Sequence, residues 1–221
     1  MNTRHDRIHK LILLALFTAI TYIFSILPAI KVDFLSLDIK DAFITIGALY
    51  LGPLAGVLIS AVVSVLETVS GSLTGFYGMI MNFIGSAAFS AVCALIYKYR
   101  KTLLGAVFAL ICSTIGMTAV MIASNLIITP YYTGWPVQAI KDLIIPMFLP
   151  FNIVKGILNS ALVMLLYKPI STALRKAHLL NGVNVEGRMN KNTIIVAATS
   201  VVIIVASFLY IFFALNGSIQ V

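Results

Sequence analysis

The sequence predicts an all-α integral membrane protein: a six-transmembrane-helix bundle followed by one additional C-terminal transmembrane helix. Three observations carry this. The chain is 61% hydrophobic and only 10% charged, with a mean hydropathy of +1.06; soluble domains are about 45–50% apolar and about 25% charged. Apolar segments recur at 11–30, 41–51, 53–69, 76–97, 102–129, 143–167 and 192–215, most of them near the roughly 20 residues that cross a bilayer as a helix. Lys and Arg gather at alternate ends of these segments.

The first segment follows MNTRHDRIHK. No small-residue cleavage site follows it, so it reads as a retained span with residues 1–10 as a cytoplasmic N-terminus. The second and third segments are split by Gly52-Pro53 in LYLGPLAG. Pro lacks an amide hydrogen and glycine tolerates positive φ, so a tight turn between two short spans is expected. The fourth and fifth are separated by YKYRK. After the sixth, STALRKAHLLNGVNVEGRMNK (171–191) is a polar, basic linker. The expected organisation is therefore an N-terminal tail (1–10), a six-helix membrane domain (11–170), a cytoplasmic linker (171–191) and a terminal span (192–215).

With the N-terminus inside, eleven of the fifteen basic residues fall on the cytoplasmic side. Lys31, Lys40 and Lys141 fall outside, and Lys155 lies within the membrane. This count requires 41–51 and 53–69 each to cross or nearly cross. The net charge of +8 is then explained by orientation in a lipid bilayer, and nucleic acid is not needed as a partner.

Two outer connections are distinctive. KVDFLSLDIKDAF (31–43) carries Asp33, Asp38, Lys40 and Asp41; TPYYTGWPVQAIKD (129–142) carries two tyrosines and the single tryptophan. The second reads as a loop, serving either as an interfacial aromatic belt or as a lid over an outward-facing pocket.

Polar groups inside the spans carry the functional signal. A cation in hydrocarbon costs about 2.5–3.5 kcal/mol on insertion scales, so Lys155 in PFNIVKG needs a compensating partner. Asn152 lies three positions earlier on the same helical face. Asn82 in the fourth span and Asn125 in the fifth fall at similar depth, in the outer half. Each asparagine has a plainer reading as helix–helix glue, worth roughly 0.6–2 kcal/mol. Glu67, ending the third span, is either solvated or paired with a cation such as Lys155. Ala15 and Ala19 form a small-xxx-small pair on the first helix, which permits close helix approach. An enzyme finds little support: there is no HExxH, no G-x-S-x-G and no acidic pair at helical spacing within a span.

These residues resemble a family. LSLDIKDAF leading into GALYLGPLAG, then GMIMNF, NLIITPYY, PFNIVKG and LLYKPI resemble, in that order, the S components of energy-coupling-factor (ECF) vitamin importers, most of all the riboflavin-specific branch. PFNIVKG is the most specific element. The resemblance implies a six-helix bundle with the vitamin near the extracellular face, under the loop between the first two spans, in the cell membrane of a prokaryote. Asn125, Asn152 and Lys155 match positions that contact the flavin. The stretch from Leu37 through Asp38 and Asp41 to Thr45 would add contacts, with Asn82 and Glu67 nearby. Ala15 and Ala19 resemble the surface that packs on a transmembrane coupling subunit. Two cytoplasmic ATPases would supply the energy, the S component would catalyse nothing, and riboflavin would be substrate rather than cofactor. Riboflavin-type members carry a Lys-Asn pair where this chain has Val63-Ser64, and the terminal span lies outside the six-helix pattern. Pantothenate, pyridoxine-type vitamins and folate are the alternative substrates; a membrane enzyme or scaffold is the alternative of another class.

Overall fold

The computed structural model describes residues 3–27, 29–32, 35–70, 75–177, 179, 191–215 and 218–220. Asp33 and most of 178–190, including the centre of the expected linker, lie outside the described residues. The elements run α1 Thr3–Ser25, β1 Ala29–Val32, β2 Leu35–Leu37, α2 Lys40–Leu51, α3 Pro53–Val69, α4 Gly75–Tyr99, α5 Leu103–Thr133, α6 Val137–Asp142, a π-helical turn Ile144–Phe148, α7 Leu149–Lys176, α8 Lys191–Ala214 and β3 Ser218–Gln220. Five stretches among the described residues are long and apolar enough to cross a membrane, while α3 is a shorter apolar helix.

Each turn has a local cause. Gly52 has φ 102° and caps α2 through its amide on Ala48 O, and Pro53 opens α3 at a position where a missing amide costs nothing. α5 starts on Thr102, whose hydroxyl accepts from Gly105 N, and stops on Gly134 at φ 72°. The chain widens into the π turn around Pro146 and re-enters an α-helix at Pro150, two residues that cannot donate to the ladder.

The helices pack as a bundle. α4 lies between α3 and α5, α7 contacts α2, α5 and α8, and α1 covers α2 and α3. α2 sits at the centre, and every residue from Lys40 to Ala48 is buried. Two apolar clusters fill the interior. One holds Phe17, Ile44, Ile59, Phe89, Met117 and Val163. The other lies at the hairpin end and holds Leu35, Leu37, Phe148, Phe151, Leu158 and Ile211. The polar site sits between them. An apolar groove of about 520 Å³ separates α8 from α5 and α7 at the opposite end, lined by residues such as Ile111, Thr114, Ile157 and Ile203.

Three expectations are corrected. The first apolar segment does not stay helical to residue 30. α1 stops at Ser25, and Ala29–Val32 form a strand paired with both β2 and β3, so their amides are satisfied between strands instead. The expected loop 129–142 is largely helical: α5 continues through Pro130 to Thr133, and α6 follows. Finally, α2 has 12 residues, about 18 Å at 1.5 Å each, well short of a roughly 30 Å core. The chain ahead of α2 makes up the distance by dipping into the bundle.

A buried ionic cluster as the candidate substrate site

The dip places charges inside the bundle. Lys155, in α7, donates from Nζ to Asp38 Oδ2 at 3.0 Å and lies 3.7 Å from Asp41 Oδ2 and 3.4 Å from the carbonyl oxygen of Ser36. One turn on, Asn159 clamps the same segment. Its Oδ1 accepts from Ala42 N at 2.9 Å, and its Nδ2 donates to Asp38 O at 3.2 Å and to Lys155 O at 3.0 Å. The loop and the start of α2 are thereby fastened to α7 at two adjoining points.

A second cation completes the cluster. Lys40 is 2% exposed; its Nζ donates to Glu67 Oε2 at 2.7 Å and lies 3.9 Å from Asp38 Oδ2. Asn82 Nδ2 donates to Glu67 Oε2 at 3.2 Å, and the Ser86 hydroxyl donates to Asp41 Oδ1. Three carboxylates thus face two ammonium groups. Buried charges persist only when paired and hydrogen-bonded, and each of these has at least one such partner. Asp38 Oδ1 is buried with no hydrogen-bond donor among the described residues. Asp38 itself lies in the loop, outside the spanning helices. Burial alone pushes its carboxyl up; the neighbouring Lys155 and Lys40 ammonium groups outweigh that and hold it below the ordinary carboxylate value.

A small cavity adjoins the cluster. It has about 20 Å³ and is lined by Lys155, Asn152, Asn82 and Ser86 on the polar side and by Gly85, Met81, Met117 and Met121 on the other. Unbranched methionines repack easily, so this wall is deformable. Next to Lys155 on α7 the packing leaves no room: a Cβ on Gly156 would come within 2.6 Å of Thr114 Cγ2. The glycine of PFNIVKG therefore serves the approach of α7 to α5, which sets the depth of Lys155.

The structure brings Asn82, Asn152 and Lys155 to the cavity and joins Asp38, Asp41 and Glu67 to them. Thr45, one turn along α2, is buried and bonds Asp41 O; Leu37 is buried in the hairpin-end apolar cluster. Asn125 is fully buried but does not line the cavity. Its amide donates to Met121 O and its oxygen accepts from Thr129, both within α5. Asn152 also donates to its own helix, at Phe148 O. Glu67 pairs with Lys40, not with Lys155. Of the aromatics of 129–142, Tyr131 is 75% exposed and Trp135 41%, and none lines the cavity. Ala15 and Ala19 are exposed on α1, away from the cluster.

Lys40, Ser86 and Asn159 went unrecognised in the sequence. Two carried a signal: Ser86 follows Asn82 by four positions and Asn159 follows Lys155 by four, so each extends a polar stripe by one helical turn. Lys40 gave none, because a lysine beside aspartates in a connecting segment reads as solvated.

A family model described as ECF transporter, substrate-specific component, matches residues 9–167. The chain belongs to this family. This substrate-specific component is a multi-pass membrane protein and a transporter part, not an enzyme. Its family implies a membrane-embedded module with coupling and ATPase subunits. The component is 30% identical to the riboflavin transporter FmnP of Bacillus subtilis (strain 168) over 189 residues, covering 78% of this chain and 99% of that protein. It is 27% identical to the riboflavin transporter RibU of Staphylococcus aureus (strain TCH60) over 177 residues, 76% of this chain and 93% of that one. A solved structure of the S component of a bacterial ECF transporter superposes with a TM-score of 0.65 at 27% identity, covering 75% of this chain and 97% of that one.

Proposed function

We propose that this S component binds riboflavin or a closely related flavin from the extracellular side and delivers it to a coupling subunit driven by two cytoplasmic ATPases. The single observation that carries the reading is Lys155 at the cavity wall beside Asn152 and Asn82, beneath the loop that bears Asp38. Two relatives named as riboflavin transporters support it. The isoalloxazine edge offers amide-like donors and acceptors that carboxamides match, and an ammonium donates to carbonyl or hydroxyl oxygens.

Ligand pockets span about 300–1,000 Å³, far above the cavity volume here. Entry therefore requires the 35–38 segment to lift and Met81, Met117 and Met121 to repack. On lifting, Asp38 leaves Lys155, and the ligand's oxygens take its place on the ammonium. Asp41 stays on Ser86 and continues to balance that charge. Asn125 on α5 and Thr45 on α2 belong to the proposed site as second-rank contacts, with Leu37 at the end of β2 above them. Ala15 and Ala19 are the proposed docking face for the coupling subunit, in a cell membrane with the N-terminus cytoplasmic and residues 11–170 as the binding unit.

The test is quenching of riboflavin fluorescence by the detergent-purified chain. Stoichiometric quenching is the expected result. A folded sample that leaves riboflavin fluorescence unchanged overturns the flavin assignment and turns the search to pantothenate, pyridoxine-type vitamins and folate.

A further inference from the structure

The C-terminal extension has no counterpart in the family match, which ends at residue 167. In the fold it reaches back to the site. α8 packs along α7, the helix that carries Lys155. Ile211 is fully buried in the apolar cluster that contains Leu35 and Leu37, with Phe208 and Leu215 packed against it. Beyond α8, β3 pairs antiparallel with β1, setting Gln220 opposite Ala29, Ile219 opposite Ile30 and Ser218 opposite Lys31. β1 pairs in turn with β2, setting Ile30 opposite Leu37 and Val32 opposite Leu35. β2 leads directly into Asp38 and the carbonyl oxygen of Ser36, both on Lys155.

Strand pairing thus links β3, through β1 and β2, to the residues of the ionic cluster. A two-stranded hairpin alone is marginal in water, and a third strand with an apolar face makes it persistent. Here β3 is that third strand, following a helix that packs along α7 and buries Ile211.

We propose that α8 and β3 form a strap that holds the β1–β2 hairpin, and with it Asp38, down over the site. The strap raises the free energy needed to lift the hairpin, so it slows opening and ligand exchange. This rests on the reading of the cavity under Asp38 as the substrate site.

The experiment is amide hydrogen exchange on the full-length chain, comparing wild type with Ile219→Pro and with Ile219→Val. Proline removes an amide and a strand conformer from β3, while valine keeps the strand. Local opening free energies set exchange rates, so exchange at 35–37 and 40–42 is expected to rise about tenfold in Ile219→Pro and to stay level in Ile219→Val. Unchanged exchange in a folded Ile219→Pro protein overturns the strap. Should Ile219→Pro not fold, Ala29→Cys/Gln220→Cys replaces it, since facing residues of an antiparallel pair lie about 4.5–5.5 Å apart at Cα, within disulfide range. Oxidation should then lower exchange at 35–42 and reduction restore it; no difference between the two states overturns the strap. Where wild type quenches riboflavin, release from Ile219→Pro should be faster by a similar factor, and an equal release rate refutes control of ligand exchange. Where wild type does not quench it, the flavin reading fails and the exchange data alone decide the strap.

Discussion

Lys155 Nζ lies 3.0 Å from Asp38 Oδ2, joining two residues 117 positions apart. One end of this contact is the interior of a spanning helix and the other is a connecting segment folded into the bundle. The pairing resolves the cost of a cation at that depth, since Asp38 and Asp41 supply the opposite charge. It also makes one side chain serve both stability and ligand capture.

Replacing Lys155 with Met takes the nearby cation from buried Asp41 and leaves Asp38 only the more distant Lys40, at 3.9 Å. Breaking a buried pair by removing one partner costs about 3–5 kcal/mol. The thermal midpoint should fall and riboflavin quenching should disappear. Adding Asp38→Asn should recover part of the midpoint and none of the binding. Wild-type affinity in the single variant would remove Lys155 from the site.

Lys40 and Glu67 make a cleaner thermodynamic pair, because neither lines the cavity. Lys40→Met and Glu67→Leu should each destabilise the chain, while the double variant should lie much closer to wild type. The coupling from a double-mutant cycle should reach about 1–3 kcal/mol. Additive single effects in thermal melts would mean that the pair contributes nothing beyond its separate members.

Substituting Leu at both Ala15 and Ala19 should abolish vitamin uptake in cells and leave riboflavin quenching by the isolated subunit unchanged. Both residues are exposed on α1, and a larger side chain there blocks close helix approach. Normal uptake would place the coupling face elsewhere.

Acid should loosen the hairpin. The Asp38 carboxyl is held below its ordinary 3.8 in the fold, so the folded chain releases that proton more readily than the unfolded chain does. The stabilisation is complete above pH about 5 and lost as pH falls through the unfolded and then the depressed folded value. Midpoints should therefore be level on this account from neutral to pH about 5, then drop, with a shallower drop in Asp38→Asn. Identical acid limbs in both proteins would contradict the assignment.

Much of this was legible in the residues. Hydropathy placed the helices, and the in-span Asn82, Asn152 and Lys155 marked the cavity, because a polar group in hydrocarbon must have a reason. Asn125 lies off the cavity wall, since depth fixes height along a helix but says nothing of rotation about it; its amide turns back onto Met121. Lys40 was hidden because charge counting assigns a side of the membrane and not burial. The hairpin was invisible: strands of four and three residues show no alternation, and the third partner comes from the far end of the chain. The segment 129–142 read as a loop, yet a proline near a helix end removes only one hydrogen bond, and α5 runs through Pro130.

The long reach from Asp38 to Lys155 also orders events on the ribosome. When the 31–43 segment leaves the exit tunnel, the helix that will neutralise its aspartates has not been translated, and Asn159 follows later still. Until α7 enters the bilayer, Asp38 and Asp41 have their favourable resting place at the aqueous surface, and the short α2 has no bundle to sink into. The binding pocket is thus a late product of synthesis: a nascent chain arrested before residue 155 owns the helices that surround the site but not the site.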